Sequence, residues 1–119
     1  MATNLIYADG DQMSYLASEL LPSSGVTAGA PVVFGKKPGV ALNSEASSRV
    51  TVKHGGVFDL SVKGIDASGN LAIAAGDILY FTNGDTPKVN VKATGVRFGY
   101  ALEAITSGST DTIQVLVGY

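Results

Sequence analysis

The fold is decided by the stretch Gly55-Gly56-Val57-Phe58-Asp59-Leu60-Ser61-Val62-Lys63, in which apolar and polar residues alternate behind two glycines. Alternation with a period of two is typical of a strand that buries one face. Phe58, Leu60 and Val62 share one side of this strand. The other side carries Val57, Asp59, Ser61 and Lys63. The glycine pair predicts a corner at the start of the strand, of the kind that a small barrel uses to turn.

Short strand-like segments flank this stretch on both sides. They are separated by turn residues, among them Lys-Pro-Gly at 37–39 and Asn-Gly-Asp at 83–85, and no helical periodicity follows residue 26. Roughly eight short strands at this spacing are typical of a sandwich or barrel. The predicted fold class is therefore all-β: a small β-barrel or β-sandwich of short strands. Besides the central stretch, the segments are 31–35, 39–42, 49–53, 77–82, 88–93, 96–104 and 112–117.

The longest of these segments, 96–104, carries a glycine in its middle. Alternation places Phe98, Tyr100 and Leu102 on one face, with Gly99 opposite. A glycine inside a strand marks a β-bulge or a place where another backbone approaches closely. We therefore expect an irregularity at Gly99.

Size and composition exclude several classes of protein. The chain has 119 residues, which fits one domain, and it has no cysteine, so neither a disulfide framework nor a thiolate metal site is present. Its net charge is −2 and only 15% of its residues are charged, which disfavours a nucleic-acid partner. The longest apolar run, 71–75, is too short to cross a bilayer, and the first residues show no signal-peptide pattern. We expect a soluble protein made in the cytoplasm, without a membrane partner.

The predicted domains are an extended N-terminal arm at 1–12 and a β-barrel domain at 13–119. Asp9-Gly10-Asp11 predicts a turn within the arm, and it lacks the later ligands of a calcium loop. Residues 13–21 fit helical spacing and strand alternation equally well, and Pro22 ends either one. Periodicity alone leaves this segment open.

No residue pattern predicts catalysis, a cofactor or a metal. His54 is the only histidine, and its nearest following acid is Asp59, five residues along a strand. A triad or a histidine metal site needs partners at compatible geometry, which the sequence does not offer. We therefore expect His54 at the surface or at the start of a loop, and we expect the protein not to be an enzyme.

Five phrases, in order and at their spacing, are similar to the tailed-phage capsid cement, or head decoration, family. The similarity covers residues 28–118, and the chain departs from the family pattern at Ala30 and Ser61, which are turn or edge positions. The phrases are Ala28-Gly29-Ala30-Pro31-Val32-Val33-Phe34-Gly35, Gly39-Val40-Ala41, Gly56-Val57-Phe58-Asp59-Leu60, Ile73-Ala74-Ala75-Gly76-Asp77-Ile78-Leu79-Tyr80 and Gly99-Tyr100-Ala101-Leu102-Glu103-Ala104.

The resemblance implies a structural role on the outside of a virion. Cement proteins bind the major capsid protein on the expanded head and stabilise its lattice, commonly as homotrimers and sometimes as dimers. By this analogy, residues 13–21 are extended and 13–119 form a decoration domain. An extended arm is suited to adding a strand to a capsid edge, and Leu5, Ile6 and Tyr7 are its predicted capsid-contact residues.

Two other classes of function compete with this interpretation. One is a ligand- or carbohydrate-binding β-barrel module on the virion surface, for which an exposed Tyr15 or Tyr119 would be the feature to find. The other is a hydrolase on a β scaffold, which the lack of any nucleophile–base pair near His54 disfavours.

Overall fold

The computed structural model describes residues 12–23 and 26–118, and strands dominate this part of the chain. All eight predicted strand segments form strands, together with β1 and a small hairpin of two further strands. The elements are β1 Gln12–Leu16, a 3-10 turn Ala17–Glu19, β2 Pro31–Phe34, β3 Lys37–Ala41, β4 Arg49–Lys53, β5 Gly56–Lys63, β6 Ile65–Asp66, β7 Gly69–Asn70, β8 Ile78–Phe81, β9 Val89–Asn90, β10 Val96–Ala101 and β11 Thr110–Val117. No helix in these described ranges is long and apolar enough to span a membrane.

A closed five-stranded barrel forms the larger part of the fold, in the order β10-β11-β5-β9-β8. The central stretch, β5, pairs antiparallel with β11 over eight residues, from Gly56↔Val117 to Lys63↔Thr110. A short parallel pairing, Val62↔Val89, joins β5 to β9 and closes the barrel. Closure removes the free edges that an open sheet would present to other chains. The predicted all-β class is confirmed, in its barrel form.

A second, four-stranded sheet in the order β1-β4-β3-β2 packs on the barrel. Val33 and Val40 belong to the barrel core, whereas Val32 and Ala41, their chain neighbours, belong to a separate core with β1 and β4. Strands β2 and β3 are thus covered on both faces. This explains why 31–34 is a continuous apolar run rather than an alternating one.

The β2–β3 turn lies earlier than the sequence predicted. Phe34 pairs with Lys37, so the turn is Gly35-Lys36, and the predicted Lys-Pro-Gly turn is instead the start of β3. Gly35 has φ +62°, a left-handed conformation that a tight hairpin turn requires and that glycine adopts without strain. Pro38 is tolerated in β3 because β4 pairs only with Val40 and Ala41.

Residues 13–21 combine both of the conformations that periodicity left open. The segment is extended through Leu16, as the family analogy implied, and then makes a single 3-10 turn at Ala17–Glu19. The Glu19 carboxylate accepts a hydrogen bond from the Leu16 backbone N–H at 3.1 Å. This bond satisfies a donor that the short turn leaves without a backbone partner.

Candidate functional site on the outer barrel face

An apolar row crosses the outside of the barrel. Val57 on β5 pairs with Leu116 on β11, Leu116 pairs with Tyr100 on β10, and Tyr100 pairs with Ile78 on β8. Val57 is 53% exposed and Leu116 is 37% exposed, while Tyr100 and Ile78 are half-buried. Directly paired residues share a sheet face, so these four side chains lie side by side. We call them the outer row. Apolar surface that is contiguous and exposed is typical of an interaction site.

A β-bulge places Tyr100 in the outer row. The pairing of β10 with β8 shifts between Arg97 and Gly99, so the inward face receives both Phe98 and Gly99, and Tyr100 turns outward. The predicted irregularity at Gly99 is therefore confirmed. The predicted common face of Phe98, Tyr100 and Leu102 is wrong, because the extra residue of a bulge reverses the alternation after it. Phe98 is fully buried, whereas Leu102 is 41% exposed.

Gly99 is required where the bulge meets β11. A Cβ atom at this position would fall on the carbonyl oxygen of Leu116. The backbones of β10 and β11 can approach each other here only because residue 99 has no side chain. The bulge that turns Tyr100 outward and the position of Leu116 in the outer row thus depend on one glycine.

Two carboxylates lie on one side of the outer row. Asp59 pairs with Gln114 across β5 and β11, and the Glu103 carboxylate accepts a hydrogen bond from the Gln114 backbone N–H at 2.8 Å. The Leu102 backbone N–H donates to the Gln114 carbonyl at 3.0 Å, so Leu102 lies beside the two carboxylates. Asp59, Leu102 and Glu103 are all exposed. We call these three residues the carboxylate patch.

A cationic cleft lies on the other side of the outer row. It is an open depression of about 670 Å³ between the β2–β3 turn and the start of β10. The Arg97 guanidinium sits 5.5 Å from the centroid of the Tyr100 ring and donates a hydrogen bond to its hydroxyl, so the cleft borders the outer row. We call this depression the cation cleft; it is lined by Phe34, Lys36, Lys37, Pro38 and Arg97.

A second charged cluster holds the β8–β9 connection. The Asp85 carboxylate lies 2.6 Å from Lys92 Nζ and accepts a hydrogen bond from Asn90 Nδ2 at 3.0 Å, and Asn90 is fully buried. The hydrogen bond from Lys92 lowers the pKa of Asp85 below its ordinary value. Each polar group in this cluster has a partner within the chain. The cluster therefore stabilises the local structure and does not indicate a binding site.

His54 and Tyr15 are buried together, which corrects two expectations. His54 does begin the loop between β4 and β5, but it is 6% exposed and its ring contacts Tyr15 and the Pro38 carbonyl, so the surface position is wrong. Tyr15 is 9% exposed and its ring stacks on Phe34 at 4.4 Å. It is therefore not available to a surface ligand, and Tyr119 lies outside the described residues.

The predicted capsid-contact residues Leu5, Ile6 and Tyr7 also lie outside the described residues, so their role stays a prediction. The described chain begins with Gln12, which is the first residue of β1. Among residues 12–23 and 26–118, no group of three or more histidine, cysteine or carboxylate side chains is placed to hold a metal ion.

Sequence reasoning missed the outer row and the cation cleft. The outward position of Val57 was readable from alternation, but its neighbours were not, because strand register and the bulge decide them. The Lys36-Lys37 pair was visible as the largest basic cluster. Its proximity to Arg97, some sixty residues later, follows only from the packing of the β2–β3 hairpin against β10.

The chain matches a known protein family. A family model described as phage cement protein matches residues 12–117, which span almost the whole described fold. No curated protein matches the chain. No solved structure matches it.

Proposed function

The chain belongs to the phage cement protein family, and from this premise we propose that it binds the outer surface of the expanded head and stabilises the lattice of the major capsid protein. The observation that carries the proposal is the family match over residues 12–117. Membership supports a cement role in a virion and association with a capsid. The family is structural rather than enzymatic, and we propose that this chain has no catalytic activity.

The stabilisation has a simple thermodynamic basis. A protein that binds the expanded lattice and not the unexpanded one stabilises the expanded state by RT ln(1 + [L]/Kd) for each occupied site. At a free concentration one hundred times Kd, this amounts to about 2.7 kcal/mol for each site. Many copies on one head sum these contributions, so a modest affinity at each site is sufficient to resist internal pressure.

The N-terminal arm is the first proposed contact with the capsid. Gln12 begins β1, which is an edge strand of the four-stranded sheet, so the described chain starts at the side of the domain. An extended segment that adds to a strand edge gains affinity from backbone hydrogen bonds and specificity from alternate side chains. In this proposal Leu5, Ile6 and Tyr7 supply the apolar side chains.

Self-association is the second part of the proposal, with a homotrimer as the assembly. The outer row supports it, because four adjacent apolar side chains without a charge among them resemble the core of an interface between identical subunits. A cement protein with several capsid contacts per assembly also gains avidity, since the second contact forms within an already bound complex.

Co-sedimentation tests the capsid role. The purified protein is mixed with expanded and with unexpanded heads of the parent phage, and bound protein is measured across a concentration series. We expect saturable binding to expanded heads only. Binding to neither form would overturn the cement role for this chain, and equal binding to both would overturn the stabilisation by linkage.

Substitution of the outer row tests self-association separately. Val57→Glu places a charge in the row, whereas the matched control Ser61→Glu places one at another exposed, outward position of the same strand. We expect Val57→Glu to weaken self-association at least tenfold in sedimentation velocity, with Ser61→Glu unchanged. Equal behaviour of the two variants would show that the row is not the interface.

A further inference from the structure

We infer that the cation cleft of one copy binds the carboxylate patch of a second copy, so that the subunits associate head to tail. This inference rests on the proposed self-association and specifies its contact. The occupant of the cleft is a second copy of this chain, because one molecule carries two complementary surfaces. The cleft combines cations with an aromatic side chain, and the patch at the other end of the outer face combines carboxylates with an exposed leucine.

The cations of the cleft have no counter-charge among the residues that the structure describes. The chain has a net charge of −2 and eight lysines and arginines, yet three of these eight line one cleft. No carboxylate is among the described residues that line it. Lys36 and Lys37 are exposed and form no ion pair with any residue in 12–23 or 26–118. A concentration of one charge in a concave surface favours an anionic partner.

The carboxylates of the patch are similarly available. Asp59 is exposed and pairs across the strands with an uncharged residue, Gln114. Glu103 uses one carboxylate oxygen to accept the Gln114 backbone N–H, and its other oxygen can accept bonds from a partner. Arginine and lysine donors fit such carboxylates well, and hydrogen bonds between charged groups are stronger than those between neutral ones.

Apolar side chains accompany both sets of charges. Phe34 is 39% exposed at the cleft, where its ring is held by stacking on Tyr15. Leu102 is 41% exposed within the carboxylate patch. Stable interfaces combine an apolar centre with a polar rim. Contact between Phe34 of one copy and Leu102 of the next would supply that centre.

The two surfaces are too far apart to neutralise each other within one copy. Arg97 lies at the start of β10 and Leu102 directly follows its end. A strand rises about 3.3 Å per residue, so these two residues, five positions apart, are separated by about 16 Å. The Debye length at physiological salt is about 8 Å, which screens such a pair. Each copy carries one cleft and one patch, so a contact between the cleft of one copy and the patch of the next, repeated around a rotation axis, closes a ring.

Charge reversal tests the pairing from both sides. Variant one carries Lys36→Glu and Lys37→Glu. Variant two carries Asp59→Lys and Glu103→Gln, where glutamine retains the oxygen that accepts the Gln114 N–H. We expect each variant alone to self-associate at least tenfold more weakly than the unmodified chain in sedimentation velocity. The control Arg49→Glu reverses an exposed charge on β4, outside the residues of both surfaces, and should change nothing.

Mixing and combining the variants makes the test specific for head-to-tail contact. Variant one keeps a normal carboxylate patch and variant two keeps a normal cleft. The reversed cleft of variant one is also complementary to the reversed patch of variant two, so an equimolar mixture should associate although each variant alone does not. One chain with all four substitutions has acidic residues at the cleft and a lysine at the patch, so it should regain self-association. Failure of both the mixture and the combined variant to associate would overturn the inference.

Head binding separates this inference from the proposed function. If variant one self-associates normally but no longer binds expanded heads, the cleft faces the shell, which overturns the inference and leaves the cement role standing. If variants one and two associate with each other and the unmodified chain is a dimer, the pairing of cleft with patch is supported and the homotrimer is overturned. Absence of head binding by the unmodified protein, with the pairing intact, would overturn the cement role alone.

Discussion

The Tyr15 hydroxyl lies 2.6 Å from Nε2 of His54, and both side chains are buried. His54 Nδ1 lies 2.7 Å from the Pro38 carbonyl oxygen, which can only accept, so Nδ1 carries the proton and Nε2 accepts from the tyrosine. The pair thus links β1 and β3 to the connection between the sheet and the barrel. His54 therefore has a structural role in the interior, whereas the sequence suggested a surface position.

Replacement of Tyr15 by phenylalanine should destabilise the fold. The substitution keeps the ring that stacks on Phe34 but leaves Nε2 of His54 buried without a donor. A buried polar atom that loses its partner costs about 1–3 kcal/mol, so the free energy of unfolding should fall by that amount in urea titration. Tyr80→Phe is the matched control: Tyr80 is half-buried, and no hydrogen bond of its hydroxyl occurs within the described residues. If Tyr80→Phe lowered the free energy of unfolding as much as Tyr15→Phe, the role of the Tyr15–His54 hydrogen bond would be contradicted.

Stability should also fall at alkaline pH through Tyr15. Burial, and then the negative charge of Glu19, raise the pKa of Tyr15 above its ordinary value of 10.0. The folded state therefore holds this proton more tightly than the unfolded state does. Its contribution is fully present below pH 10 and is lost as the pH rises from the unfolded pKa through the folded one. Urea midpoints at a series of pH values should show this decline, and Tyr15→Phe should reduce it. Superimposable pH profiles would exclude Tyr15 as the cause.

Gly99→Ala should prevent or strongly impair folding. Its Cβ would meet the Leu116 carbonyl oxygen, and neither backbone can move without separating β10 from β11. We expect a loss of more than about 3 kcal/mol, beyond the usual range for single substitutions. Gly84→Ala is the control, because its Cβ would meet nothing within 4 Å and its φ is not left-handed. The soluble yield and the urea midpoint are measured for both variants. Similar midpoints would contradict the close approach of the β10 and β11 backbones at Gly99.

Phe98 and Phe58, two of the three phenylalanines on the barrel strands, should differ in their contributions to stability. Phe98 is fully buried and its ring lies 6.3 Å from that of Phe81, whereas Phe58 is half-buried and packs at the edge of the same core. Phe98→Ala should cost about 3–5 kcal/mol, the usual range for a core aromatic, and Phe58→Ala distinctly less. Urea titration of both variants measures the difference. A larger loss for Phe58 would mean that its ring is covered in an assembly.

The strands were predictable because alternation is a local signal. In β5 and β11, Leu60, Val62, Ile113 and Val115 are buried as their alternation indicated. The signal fails after Phe98, because an inserted bulge residue leaves no mark in composition beyond the glycine itself. It also cannot give register, which is why the partners of Val57 were unknown before the structure.

The burial of His54 and Tyr15 could not be read from the sequence for a different reason. They are 39 residues apart, and each is amphipathic, so composition alone fits a surface position for both. They meet through the antiparallel pairing of β1 with β4, in which Gln12 lies beside Lys53, the residue before His54. Long-range packing of this kind is not encoded in any short window of residues.

Deletion of residues 2–10 tests the arm. Because β1 begins at Gln12, the deletion leaves every strand of the described fold intact, and we expect a folded domain with an unchanged urea midpoint. Its affinity for expanded heads should fall at least tenfold or be lost, since the added strand and its apolar side chains are gone. Replacing Leu5, Ile6 and Tyr7 together by serine should reproduce most of this loss at full length, whereas replacing Thr3 and Asn4 by serine should not. Unchanged affinity after the deletion would refute the arm contact and leave the capsid contact to the folded domain.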